Sequence, residues 1–330
     1  MSRSSFSLRR GLLLGAGALS LGAALPGFAI AQTDWPSKPI RVVLPLPPGG
    51  VADTNMRMIA ATMQDKLGQP VIVENKPGGT GAVAFNTARQ APADGYTLLV
   101  IHPGMLSAEV LMKTMDIGAN FQPITMTGEA QVMLVASNKS QLGSLDDLVN
   151  RARAEPGKLN YGTIGIGSIE HLLTEGLSGV AKVQFTHIPY KGGPDIVQGL
   201  VGGEIDFALL LPQIAMPYAE KGMLRPLASL SPKRQSVAPN IPTFEEAKLP
   251  VRRLSLWTGV FVPKATPAPV VARLHTELVA AMQDPKVRRQ MQLGGSDPTS
   301  SASPAEFARR VDEDLAWIRQ TVASRKIELK

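Results

Sequence analysis

The sequence predicts an α/β protein built as two lobes, and three observations carry that expectation. Short apolar runs of strand character alternate with stretches whose apolar residues keep helical spacing, the arrangement of a parallel sheet covered by helices on both faces. The alternation runs from Ile40 to Ile101 and restarts after Phe121. A chain of 330 residues is long enough for two such units.

The first strand is Ile40 to Leu44, closed by Pro45-Leu46-Pro47-Pro48-Gly49-Gly50. Met56, Ile59, Ala60, Met63 and Leu67 then recur at helical spacing, and Gly68 stops the helix because glycine accepts the left-handed conformation that ends one. Val71 to Val73 is a strand, Pro77 to Gly81 a turn, and an Ala-rich helix runs to about Gln90. Tyr96 to Ile101 is a continuous apolar strand. In the second series Val132–Ala136, Asn160–Ile164, Gln184–Tyr190, Phe207–Leu211 and Leu224–Leu230 read as strands. Helices are expected from Ser144 to Ala154 and from about Ile169. A Pro-rich polar stretch, Ser231 to Pro250, leads to a return strand at Leu254–Val262. The rest is helical: Val270 to Met282, then a last helix opened by Ser303-Pro304-Ala305-Glu306, an N-cap serine, a first-turn proline and a capping-box glutamate. Phe307, Val311, Leu315 and Ile318 form its apolar stripe.

The N-terminus reads as a secretory leader, residues 1–31. A basic head ending in Arg9-Arg10 precedes an apolar run from Gly11 to Leu25, Pro26-Gly27 breaks it, and Ala29-Ile30-Ala31 supplies the small-x-small cleavage pattern. The adjacent arginines also permit twin-arginine export. The run is shorter than the ~20 apolar residues a membrane span needs. Arg3, Arg9 and Arg10 contribute to the formal charge of +7, so the basic balance is no sign of nucleic-acid binding. The low aromatic content, 5 %, also argues against a base-stacking platform. The absence of cysteine excludes disulfides, thiolate metal sites and a cysteine nucleophile. His102, His171, His187 and His275 have no metal-type spacing, so neither a metal nor another cofactor is expected.

Two motifs carry chemistry. In Pro47-Pro48-Gly49-Gly50-Val51-Ala52-Asp53 a strand end, a glycine turn and a helix start follow one another. The unpaired N–H groups and positive dipole end of such a helix suit a carboxylate, although the same pattern also serves as a plain strand-to-helix turn. Asp53 can pair with Arg57 one turn on. Gly165-Ile166-Gly167-Ser168 repeats the grammar, with Ser168 as N-cap. It is no dinucleotide fingerprint, because Glu170 stands where a third glycine is required. Two such loops facing across a cleft would grip one anion from both sides. His102 follows a buried strand, where ligand crevices of α/β sheets lie, and Lys191 ends another strand beside Tyr190, facing either ligand or hinge. Ser168 with His171 one turn later permits a hydrolase reading, but there is no nucleophile elbow and no orienting acid.

Trp35-Pro36-Ser37-Lys38-Pro39-Ile40-Arg41, the first glycine loop, Val73-Glu74-Asn75-Lys76-Pro77-Gly78, Ala93-Asp94-Gly95-Tyr96, Asn160-Tyr161-Gly162, the second loop with His171-Leu172, His187-Ile188-Pro189-Tyr190-Lys191-Gly192 and Trp257-Thr258-Gly259 occur in one order. In that order they resemble the Bug extracytoplasmic solute receptors of tripartite tricarboxylate transporters. The resemblance implies a type II periplasmic-binding-protein fold, two α/β lobes joined by two crossovers with a ligand cleft between them. It implies a periplasmic receptor, not an enzyme, that captures a small mono- or dicarboxylate for membrane transporter subunits; a periplasmic sensor subunit that presents its ligand to a signalling protein is the alternative reading. The ligand set it implies is Pro48, Gly49, Gly50 and Asp53 from one lobe with Gly165, Gly167 and Ser168 from the other; Ala52 of the same first loop, and His102 and Lys191 from their places at strand ends, are added. Leu46 stands where the family usually has an aromatic residue, and Ile101-His102-Pro103-Gly104-Met105 departs from the usual run of small residues. Motif order and the return strand place lobe 1 at 34–128 plus 254–330 and lobe 2 at 129–253. A monomer is expected.

Overall fold

The structure, a computed structural model, describes residues 35–235, 237–252 and 254–329; the leader and its cleavage site lie outside the described residues. Strands β1 (Ile40–Leu44), β2 (Val71–Asn75) and β3 (Thr97–Ile101) enclose helices α1 (Val51–Leu67) and α2 (Ala82–Arg89). Helices α3 (Pro103–Met112) and α4 (Ile117–Asn120) lead to β4 (Phe121–Ala130). The chain then passes into β5 (Met133–Ser137), α5 (Leu145–Ala154), β6 (Asn160–Thr163), α6 (Ile169–Ala181), β7 (Thr186–Pro189), α7 (Gly193–Gly202), β8 (Phe207–Leu210), α8 (Pro212–Glu220) and β9 (Leu224–Ser229). It returns through β10 (Leu256–Pro263) and ends in α9 (Ala268–Gln283), α10 (Pro285–Leu293) and α11 (Pro304–Arg325).

The strands form two five-stranded sheets, ordered β2-β1-β3-β10-β4 and β7-β6-β8-β5-β9. The two have the same plan. β1 pairs in parallel with β2 and β3 as β6 does with β7 and β8, and one antiparallel strand, β10 or β5, lies between the third and last positions. That antiparallel strand is in each case the one entered directly from the other sheet, β5 just after β4 and β10 after the long segment following β9. The chain therefore crosses between the sheets twice.

Burial follows the sequence patterns. Leu98, Leu99, Val100 and Ile101 are fully buried, as a central strand covered on both faces requires. Ser144 and Ser303 cap their helices, accepting from the N–H groups of Asp147 and Glu306 at 3.1 Å each, and Glu306 reaches back to Ala302 N–H at 2.8 Å. Phe307, Val311 and Ile318 of α11 are buried against the first sheet, while Leu315 is half-buried. A Cβ on Gly259 would collide with the Phe307 ring, so glycine there lets α11 settle onto β10. Beside it the fully buried Trp257 donates its indole N–H to Asp314 at 2.9 Å, and Arg252 and Arg310 neutralise that buried carboxylate at 2.9 and 3.0 Å.

Several elements escape the sequence reading. β4 carries Pro123 and Gly128, which hide its strand pattern. α3 begins at the proline directly after His102, where the sequence reads as a strand exit, and α8 contains Pro217. α7 and α10 open on Gly193-Pro194 and Pro285, residues that read as turn signals.

Candidate functional site

The first loop is built from behind. Asp53, in the first turn of α1, is buried and turned under the loop. It accepts from Gly49 N–H at 2.9 Å, from Arg57 at 3.1 Å and from Asn75 at 2.9 Å. Asn75, at the end of β2, also donates to Leu46 O at 3.0 Å and accepts from Arg57 at 2.7 Å. Burial raises the Asp53 carboxyl, but the bonds from Arg57, Gly49 and Asn75 outweigh it and hold the group below its ordinary value. With the loop pinned in this way, Gly50 caps α1 without a side chain. The N–H groups of Gly50, Val51, Ala52 and Asp53 make no hydrogen bond among the described residues. The loop thus presents an open helix start.

The second loop follows β6. Thr163 Oγ1 accepts from Gly165 N–H and donates to Gly165 O, both at 3.1 Å, with His187 Nε2 at 2.7 Å. Ser168 caps α6 by accepting from His171 N–H at 3.3 Å. The ring of His171 folds back, and its Nδ1 accepts from Gly167 N–H at 3.3 Å. That places the His171 proton on Nε2. The ring packs against Tyr161 and His187, and burial lowers its pKa, so it stays neutral. His187 is pushed down by burial to about 4. Gly167 is buried at φ +81, and an added Cβ would run into Leu111 of α3; its carbonyl accepts from Ser107 Oγ of α3 at 2.6 Å. Glycine is required here both for the backbone angle and for the close approach of a helix from the other sheet.

The two loops meet at one cavity of about 540 Å³, within the size range of small-molecule sites. Val51 and Ala52 of α1 line it from one side, and Gly165, Gly167, Ser168 and Glu170 from the other. Its walls are largely apolar, including Leu46, Leu111, Ile164, Ile166, Leu211 and Trp257. Ile164 and Ile166 expose 55 % and 37 % of their surface, apolar area that an occupant of the cavity would cover. Among the described residues that line the cavity the ionisable ones are His102, Glu129 and Glu170, and none is lysine or arginine. Burial pushes His102 down to about 4, leaving its ring uncharged at neutral pH.

Of the residues singled out from sequence, Ala52, His102, Gly165, Gly167 and Ser168 line this cavity. Pro48, Gly49 and Gly50 lie exposed in the loop beside it, Asp53 works from behind, and Lys191 lies exposed past the end of β7; none of these is among the lining residues. Sequence reasoning gave no role to Ser107 and Leu111, which sit on the unread α3, nor to Asn75, whose motif carried the resemblance but not its task. Ser168 and His171 do not form a nucleophile–base pair. The Ser168 oxygen is bonded to the His171 backbone, and the ring nitrogen on that side is engaged by Gly167.

Comparison with known proteins agrees with this geometry. The model of the tripartite tricarboxylate transporter family receptor (TctC) matches residues 55–326. The chain belongs to this family. BugT of Bordetella pertussis is 31 % identical over 92 % of this chain and 95 % of its own. Two solved structures share its fold. Rpa4515 of R. palustris with adipate has 28 % identity and a TM-score of 0.73, covering 89 % of this chain and 99 % of that one. MatC of Rhodopseudomonas palustris with bound malate has 30 % identity and a TM-score of 0.70, covering 87 % and 99 %. This TctC receptor has the type II periplasmic-binding-protein fold, two α/β lobes with the cavity between them. The family and fold are those of solute-binding receptors. No helix among the described residues is long and apolar enough to cross a membrane.

Proposed function

We propose that this TctC receptor works in the periplasm, where it captures a small carboxylated metabolite in the cavity and presents it to the membrane subunits of a tripartite transporter. One observation carries the reading: the first turns of α1 and α6, from the two sheets, line the same cavity. A carboxylate there would meet unpaired N–H groups and the positive ends of helix dipoles in a largely apolar surrounding, where such bonds are strong. Related receptors solved with adipate and with malate support a carboxylate as the ligand. The lobes in this reading are 34–128 with 254–330, and 129–253, and residues 1–31 are removed on export. Closing the lobes on the ligand would be a hinge motion about the two crossovers.

Native mass spectrometry of the freshly exported protein tests this. A co-purified small acid that calorimetry shows rebinding unchanged is the expected result, with an N-terminus at Gln32. Chemical conversion of the acid, or binding of neutral solutes in preference to any acid, would overturn it.

A further inference from the structure

Asn55 lies one turn into α1, on the face that Val51 and Ala52 turn to the cavity. It is only 8 % exposed, yet its side chain makes no hydrogen bond among the described residues. Neither amide atom is sealed in, so both open on the cavity that the residue lines. Among the described lining residues it is the one buried polar side chain left without a partner, since Ser107, the other, donates to Gly167 O. Such a residue weakens a helix twice over. Asparagine favours caps and turns over helix interiors, and a buried polar group without a partner loses hydration for no bond. Nothing in the fold offsets that cost; a ligand can. Side chains of a helix lean toward its N-terminus, so the Asn55 amide covers the first turn, beside the open N–H groups of Val51 and Ala52.

Much of the remaining wall has the opposite character. Exposed large hydrophobic side chains gather at the cavity, Val51 and Met112 from the one lobe with Ile164 and Ile166 from the other. Apolar surface left open on both sides of a cleft is surface that the occupant covers. No described lining residue is lysine or arginine. One ligand carboxylate can be held at the helix starts. A second would leave water for a largely apolar wall with no countercharge, which is costly.

We propose that the ligand is a monocarboxylate with an apolar body, and that Asn55 binds its carboxylate together with the start of α1. This rests on the carboxylate-receptor reading above and narrows it. Unlike adipate and malate, with which related receptors were solved, such a ligand has no second carboxylate.

Calorimetry on the whole mature protein, dialysed free of co-purified acid, tests this. The probes are straight-chain monocarboxylates of graded length and the α,ω-dicarboxylates of the same lengths. Affinity for the monocarboxylates should rise by about fourfold per methylene until the cavity is filled, the factor that about 0.8 kcal/mol gives. The dicarboxylate of equal length should bind at least about tenfold more weakly. Asn55→Leu removes the amide at similar size. It should weaken every monocarboxylate by about tenfold or more, as loss of a hydrogen bond to a charged group does. The gain per methylene should stay the same, and the thermal midpoint of the ligand-free protein should equal or exceed that of the wild type. Asn55→Asp keeps the shape without the donors and should lower affinity further, because two carboxylates would then face each other. Dicarboxylates bound as tightly as monocarboxylates, or affinity independent of chain length, would overturn the apolar-bodied ligand. Unchanged affinity in both variants, or a loss of affinity matched by a lower ligand-free midpoint, would overturn the role of Asn55. Either result leaves the carboxylate reading standing. Binding of no acid of either series by the wild-type protein would overturn both.

Discussion

The two glycine loops share one grammar, strand end, glycines and helix start, yet they are held from behind by different means. In the first loop Asp53 sits three residues into α1 and points backward, binding Gly49, Arg57 and Asn75 and leaving the helix start open to the cavity. In the second, Glu170 sits two residues into α6 and lines the cavity, and burial raises its carboxyl above the ordinary value. The difference comes from the neighbours. Asn75 and Arg57 offer Asp53 partners beneath the loop, whereas the space beneath the second loop is filled by His171, whose ring already holds Gly167. One loop is held by charge and the other by a neutral ring and a packed glycine.

That comparison can be broken at its most constrained point first. Gly167→Val places a branched side chain at a positive φ and against Leu111 of the other lobe. Strain of this kind costs ~1–3 kcal/mol, and the intruding side chain would also stop α3 from approaching the second loop. Ligand affinity should fall by at least about a hundredfold, roughly 2.7 kcal/mol, while circular dichroism stays that of a folded protein. Calorimetry with the co-purified acid decides it; near-native affinity would show that close contact between Ser107, Leu111 and the second loop is dispensable.

Asp53→Ala should rank next. It removes several bonds to a buried charged group, each worth ~1.5–3 kcal/mol, so the urea midpoint should drop clearly and affinity should fall with the loosened loop. The folded carboxyl lies below its unfolded value of about 4. Its contribution is therefore complete above that pH and is lost as pH falls through the folded value. The stability gap between wild type and Asp53→Ala should be constant near neutrality and close in strong acid. A gap that widened in acid would mean that Asp53 is not the charged staple of the first loop.

The second loop should show its own pH signature. His171 and His187 are kept neutral by burial, the latter down to about 4. Their unfolded value is about 6.5, so below that pH the unfolded chain takes up protons first and stability declines as pH falls toward the folded values. His171→Ala should flatten part of that decline and weaken binding only a few-fold, since it removes one acceptor behind Gly167 and no direct ligand contact. Urea melts at pH 7, 6 and 5 on both proteins test this; a slope unchanged by the substitution would remove His171 from the account. The smallest effect is expected for Lys191→Ala. The side chain is exposed and outside the cavity lining, and affinity measured by calorimetry should stay within about twofold, less than 0.5 kcal/mol.

Much of this architecture is local in origin and was therefore legible. Strand–helix alternation, the caps at Ser144, Ser168 and Ser303, and the stop at Gly68 each depend on residues within one turn of each other. The glycine loops could be picked out because a helix start after a strand needs small residues whatever lies opposite. Elements opening on proline or glycine, such as α3 and α7, were lost because those residues signal turns as often as helix starts.

What the sequence by itself determined is the α/β alternation, the two loops and the kinship that their order implies. Tertiary structure alone decided which way each side chain in those loops faces. Asp53 and Glu170 look alike in sequence, each an acid in the first turn of a helix. Asp53 is drawn beneath its loop by Asn75, twenty-two residues away, whereas Glu170 lines the cavity on a loop fixed by a helix of the other lobe that brings Ser107 and Leu111 against Gly167. An acid at a helix start is drawn toward whatever donors lie nearest, and only the packing of distant segments fixes which donors those are.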